Sequence, residues 1–174
     1  MKKMVDYLIP SVRERQKIMY KICNNLYVGS DMRYKSIRNE KDWCVIHACK
    51  EPYHRQLLRY TSRGCPSSHP EYYFAERDNI LYLNLVDAND VDYIPQVVID
   101  KAIDFIKKHI SKYKVLVHCN QGYSRSPSIA LLYLRYTGQM NLPIEQAYTK
   151  FKEIYPKFQP NKGMNDYIIK HWGD

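Results

Sequence analysis

A chain of 174 residues, 45% hydrophobic and 26% charged, has the makeup of a single globular domain, residues 1–174, with a substantial core. No apolar run nears the roughly 18 residues that span a bilayer, and the opening Met-Lys-Lys-Met-Val-Asp-Tyr-Leu-Ile-Pro lacks the apolar stretch of a secretory leader. Five cysteines (23, 44, 49, 65 and 119) show neither C-x-x-C nor paired metal spacing, so a reducing compartment is expected, the cytoplasm first and the nucleus as the alternative. The net charge of +9 suits a plain basic surface or attraction of an anionic partner, and charge alone does not choose.

In chain order, Ser11-Val-Arg-Glu14 reads as a capping box, and Val12, Ile18 and Ile22 predict an amphipathic helix within an N-terminal extension over 1–24. Leu26–Gly29 reads as a short strand. Trp43–Ala48 is almost continuously apolar, which predicts a central strand. Residues 50–78, rich in Pro, Gly, Ser, His and Tyr, read as a long surface excursion with one helical turn at most. Ile80–Val86 is a third strand, leading into the acidic turn Asp87-Ala-Asn-Asp90-Val-Asp92. Pro95 opens a helix with Ile99, Ala102, Ile103, Ile106 and Ile110 at helical spacing. A strand over 115–117 and helices over 126–136, 143–155 and 161–172 complete the chain. Strands alternating with helices predict an α/β fold. Its sheet is central, mainly parallel and four- or five-stranded, flanked by helices on both faces in a three-layer sandwich. In such sheets ligands sit beyond the carboxyl ends of the strands, where both Cys119 and Asp87 fall.

The strongest chemical signal is Val115-Leu-Val-His-Cys-Asn-Gln-Gly-Tyr-Ser-Arg-Ser-Pro127. A strand delivers a thiol, five residues lead to Arg125, and Ser126-Pro127 opens a helix. Inward backbone N–H groups of Asn120, Gln121, Gly122, Tyr123 and Ser124, with Arg125 and the helix N-terminus, would cradle a phosphoryl group. The same donors would stabilise the thiolate of Cys119, the reactive form of a thiol. Arg125 can hold two phosphoryl oxygens bidentately, which Lys cannot. Attack by sulfur on phosphorus then needs an acid for the departing oxygen. Asp87, Asp90 and Asp92 are the candidates, and Asp87, directly after its strand, is the most firmly placed.

His118-Cys119-x5-Arg125-Ser126 resembles the signature of the cysteine-dependent protein tyrosine phosphatase superfamily, and more narrowly the small dual-specificity phosphatases. Asn25–Ser30, Cys44–Cys49, Leu85–Asp87, Ala102–Ile106 and Pro160-Asn-Lys-Gly-Met164 resemble other family segments, so that about residues 25–172 are covered. The resemblance implies the phosphatase-type fold and a metal-free phosphomonoesterase using no cofactor. Cys119 would form a phosphocysteine, Asp87 would protonate the leaving group and then activate water, and Ser126 would hydrogen-bond the departing thiolate. His118 would orient the loop. The family places its acid about thirty residues before the cysteine; Asp87 lies 32 before it and Asp90 lies 29, so the choice rests on Asp87's position after the strand.

Phosphorylated proteins carrying phosphotyrosine, phosphoserine or phosphothreonine are the expected partners. RNA 5′-phosphates or phosphoinositides are the alternative, although Asn-Gln-Gly-Tyr-Ser lacks the lysines usual in lipid-directed relatives. A catalytically silent phosphate-binding adaptor is a further rival, against which the intact Cys119, Arg125 and Ser126 argue. Departures from the family include His47-Ala-Cys-Lys-Glu-Pro52 where relatives run into an Asn or Ser turn, and Arg55, Arg59, Arg63 and His69 in a long excursion. Cys44 and Cys49 are read as core residues, with a disulfide protecting Cys119 as the alternative.

Overall fold

A computed structural model describes residues 19–173. Six strands form one sheet: β1 (Tyr20–Cys23), β2 (Leu26–Ser30), β3 (Trp43–His47), β4 (Phe74–Arg77), β5 (Ile80–Leu83) and β6 (Lys114–Cys119). Their spatial order is β1-β2-β6-β3-β5-β4. The inner four run parallel, while β1 and β4 are antiparallel edge strands. Helices α1 (Asp31–Ile37), α2 (Arg55–Leu58), α3 (Gln96–His109), α4 (Arg125–Tyr136), α5 (Ile144–Ile154) and α6 (Lys162–His171) connect and cover them. None of the described helices is long and apolar enough to cross a membrane.

β3 lies between β6 and β5, and all five of its residues are buried, as a continuously apolar run in a parallel sheet requires. Alternate residues of a strand face opposite sides, and the core divides accordingly. Cys44, Ile46, Val115, Val117 and Cys119 join the main core with Ile99, Ile106, Leu131 and Phe151. Trp43, Val45 and Leu116 join a smaller cluster with Ile37 and Tyr34 on the α1 side. Both faces are covered, one far more heavily.

The sheet has six strands against the four or five expected, and two of them, β1 and β4, are not among the strands read from the sequence. β4 lies within the excursion: Phe74-Ala-Glu-Arg77 buries only Ala75, too little apolar alternation to stand out in a polar stretch. A wide helical turn at Lys50–His54 runs directly into α2, so the excursion also holds more helix than predicted. The capping box at Ser11 and the helix body up to residue 18 lie outside the described residues. The expected end of that helix is overturned. Ile22 belongs to β1, buried against the main core, because Tyr20–Cys23 pairs with Leu26–Val28 through a tight turn at Asn24 and Asn25. Asn24 takes φ 35°, a left-handed conformation that Asn tolerates better than most residues. The extension assigned to 1–24 therefore ends inside the sheet.

Candidate active site

Parallel register brings the functional ends of three strands level: Ser30 pairs with Cys119, and His47 with His118. Cys119 is the last residue of β6, and its side chain is 3% exposed. Its Sγ lies 3.2 Å from Ser126 Oγ in the first turn of α4, and that hydroxyl also lies 3.4 Å from the carbonyl of Gly29. A thiol and a hydroxyl are thus held side by side at a buried position.

Arg125 is buried to 7% exposure, yet its guanidinium is only partly occupied. It donates from Nη1 to the Leu85 carbonyl (3.2 Å) and from Nη2 to Asn120 Oδ1 (2.7 Å). Its Nε is buried with no hydrogen-bond partner and sits 4.0 Å from Asp87 Oδ1. A buried N–H left unpaired is costly, and an anion accepting a hydrogen bond from Nε would remove that cost. Asn120 also donates from Nδ2 to the Glu51 carbonyl (3.0 Å), tying the loop to the excursion. Gln121 and Tyr123 are exposed at the rim, whereas Gly122 and Ser124 are buried.

The loop is buttressed from the last third of the chain. Tyr155 donates its hydroxyl to the Gly122 carbonyl at 2.6 Å, with burial pushing its phenol well above the usual range. Its ring meets Tyr20 of β1 edge-on at 4.9 Å. Gly122 takes φ +80°, and a Cβ there would come within 3.0 Å of both the Gly29 carbonyl oxygen and the Tyr155 hydroxyl. Gln159 N–H donates to the Tyr123 carbonyl at 2.8 Å and Asn161 N–H to Ser124 Oγ at 3.0 Å.

The acid loop joins the same assembly through Asn161. Its Nδ2 donates to Asp87 Oδ1 at 2.5 Å, while its Oδ1 caps α6 by accepting from Met164 N–H at 3.0 Å. Gly163 presses on this loop so closely that a Cβ would lie 2.2 Å from the Ala88 carbonyl oxygen. Asp87 therefore sits beside Arg125, with its side chain 56% exposed. Asp90 is used differently, its carboxylate accepting from Asp92 N–H (3.0 Å) to cap the short turn Val91–Tyr93.

His118 lies behind the loop, facing away from Cys119 as strand alternation dictates. It is fully buried, with Nε2 2.5 Å from His47 Nδ1. Burial pushes both rings below the ordinary imidazole range, and for His47 the neighbouring His118 adds to the effect. Cys49 is buried and unbridged, its thiol raised to about 12 chiefly by burial, and Cys44 is likewise a buried free thiol, raised to about 11 by burial. The excursion's Arg55 is an internal tie, bonding Glu51 and the carbonyls of Tyr60, Ser62 and Arg63. Arg59 and Arg63 are exposed.

Sequence reasoning did not assign Asn161, Tyr155 or His47 to the site. Asn161 after Pro160 is readable as a helix cap, but its bond to Asp87 spans 74 residues and no local pattern carries it.

A thiol at the mouth of a parallel strand, a hydroxyl against it and a half-satisfied guanidinium beyond a five-residue spacer define a phosphate-loop α/β domain with a cysteine at its floor. The chain belongs to the family described as dual specificity phosphatase, catalytic domain, which it matches over residues 62–172; these are cysteine-based protein tyrosine/serine/threonine phosphatases. It is 28% identical over 149 residues to the dual specificity protein phosphatase PHS1 of Arabidopsis thaliana, covering 85% of this chain and 14% of that protein. The chain thus spans a small fraction of that relative's length. The fold resembles the crystal structure of human DUSP28, with TM-score 0.58 and 18% identity over 87% of this chain and 90% of that one. It likewise resembles DUSP15, with TM-score 0.59 and 18% identity over 87% and 85% of the two chains.

Proposed function

We propose that this chain hydrolyses phosphate monoesters on proteins, phosphotyrosine with phosphoserine and phosphothreonine, through a phosphocysteine intermediate that needs no metal. The observation that carries the reading is the buried Arg125 Nε, unpartnered and poised between the Cys119 loop and Asp87. In the first step the Cys119 thiolate attacks phosphorus as the ester P–O bond breaks. The leaving oxygen takes a proton from Asp87, while Arg125 and the loop hold the equatorial oxygens. In the second step water attacks phosphorus, its proton passes to the Asp87 carboxylate and the P–S bond breaks. The Ser126 hydroxyl, 3.2 Å from Sγ, donates to the departing thiolate.

Asp87 is preferred to Asp90 because its carboxylate lies 4.0 Å from Arg125 Nε, whereas the Asp90 carboxylate caps a turn. Five unbridged cysteines support a reducing compartment, and we assign the cytoplasm. Cys119→Ser keeps the cradle and removes the nucleophile, so it should trap substrate. Copurifying phosphopeptides, with parent enzyme that releases phosphate from them, are the expected result. Trapped RNA or phosphoinositide would replace the substrate class, and a parent protein that turns over no monoester would make the chain an adaptor.

A further inference from the structure

His47 and His118 are cross-strand neighbours in register on β3 and β6. Both rings are fully buried, and Nδ1 of one lies 2.5 Å from Nε2 of the other. Aromatic rings hold them in place. Tyr34 of α1 stacks parallel on His118 at 5.1 Å, Tyr53 of the helical turn stacks on His47 at 3.9 Å, and Tyr82 of β5 closes the third side of His47 at 4.8 Å. A neutral imidazole has one N–H and one bare nitrogen, so at this separation one facing nitrogen donates and the other accepts. The contact therefore couples the tautomers of the two rings, since a proton on one facing nitrogen leaves the other bare. The other ring nitrogen, His118 Nδ1, is buried with no hydrogen-bond partner of good geometry, and the nearby Cys119 main chain favours a proton on this ring. With Nε2 turned to His47, that proton belongs on Nδ1.

We propose that His47 is a positioning residue for the nucleophile: His47 Nδ1–H donates to His118 Nε2, keeps the His118 proton on Nδ1 beside the Cys119 main chain, and so holds the loop in its thiolate-stabilising form. This rests on the phosphocysteine reading. The charged groups around the pair fit it. Asp31 of α1 favours a charged His118 and Arg125 of α4 disfavours one. The Asp31 carboxylate is already engaged by the Tyr53 hydroxyl and by Lys35 Nζ at 2.6 Å. Tyr34, Tyr53 and Tyr82 are the remaining titratable neighbours. Burial, the leading effect on each ring, keeps both neutral, as a single shared N–H···N bond requires.

The test compares His47→Phe, which keeps a flat ring and loses the donor, with His47→Asn, whose amide places an N–H near the Nδ1 position. The readouts are the pH midpoint of Cys119 alkylation by iodoacetamide and the acid limb of kcat/KM on p-nitrophenyl phosphate. In His47→Phe both should move upward together by about one pH unit, a tenfold loss of reactive thiolate on the acid side. His47→Asn should return them toward the parent. Equal shifts in the two variants, or none in His47→Phe, overturn the proposal. Should His47→Phe not fold, nitrogen NMR of the histidines in the unaltered protein decides. A His118 ring protonated on Nδ1 is expected, and one protonated on Nε2 refutes the assignment. Alkylation is read without turnover, so a protein that hydrolyses no monoester sinks the reaction while the midpoint still decides the role of His47.

Discussion

Asn161 holds Asp87 with the same side chain that starts the last helix: its amide nitrogen donates to Asp87 at 2.5 Å and its oxygen accepts from Met164 N–H at 3.0 Å. One residue thereby couples the stability of α6 to the aim of the acid. Asn161→Ala should lose about 1 kcal/mol from the missing cap, a fall in Tm of roughly 2–4 °C for a domain of this size. It should also slow hydrolysis of an alkyl phosphate roughly tenfold through misplacement of Asp87. Thermal melts and kcat on phosphoserine peptide measure the two effects. A cap loss with unchanged kcat would detach Asp87 from the chemistry.

The two aspartates separate on leaving group. Asp87→Asn should slow an alkyl phosphate by about 10²–10⁴ and flatten the alkaline fall of its pH profile. It should affect p-nitrophenyl phosphate, whose leaving group needs little protonation, much less. Asp90→Asn should stay near the parent rate, since Asn caps a turn about as well as Asp. Steady-state kinetics on both substrates across pH decide it, and the reverse outcome would move the acid to Asp90.

Gly163→Ala should act at a distance from the thiol. The new methyl would stand 2.2 Å from a backbone oxygen of the acid loop, which has no flexible side chain to yield. A loss of about 1–3 kcal/mol is expected. The alkyl-to-aryl rate ratio should fall as well, because the loop that moves carries Asp87. Denaturant titration together with that ratio tests the link.

Acid should weaken the fold through the buried histidines. His47 and His118 are held below the ordinary 6.5 by burial, so below that pH the unfolded chain binds protons that the folded chain refuses. Their contribution is complete above about pH 6.5 and is lost as pH falls toward the folded values. Unfolding free energy measured between pH 7 and 4 should decline, and replacing both rings, as in His47→Asn with His118→Asn, should shallow that slope.

The catalytic loop was legible because its chemistry is local: thiol, five-residue spacer, guanidinium and hydroxyl all lie within Cys119–Ser126. β3 and β6 were legible because a buried parallel strand leaves a continuous apolar run. β1 and β4 were not. Each is a four-residue edge strand that buries one side chain fully, and Ile22 also fits a helical period by chance. The strand read over Ile80–Val86 ends at Leu83, so Asp87 does not follow it directly; Asn161 holds it instead, and that bond was not readable because it depends on how the last helix docks. His47 was visible as a departure from the family, and its role emerged only with the register that sets it against His118.

The prop formed by Tyr155 has a practical reach. Its hydroxyl holds Gly122 while its ring rests on Tyr20, so the first described strand stands two contacts from the nucleophile. The family match begins only at residue 62. A fragment trimmed to that match would strip β6 of both its neighbours, β2 and β3. Trimming only to Leu26 would free the flank of β2 as a sticky, unpaired edge and let the ring behind the loop go slack. A piece that starts after Cys23 should therefore be less stable than one that keeps Tyr20, and its loop less firmly propped.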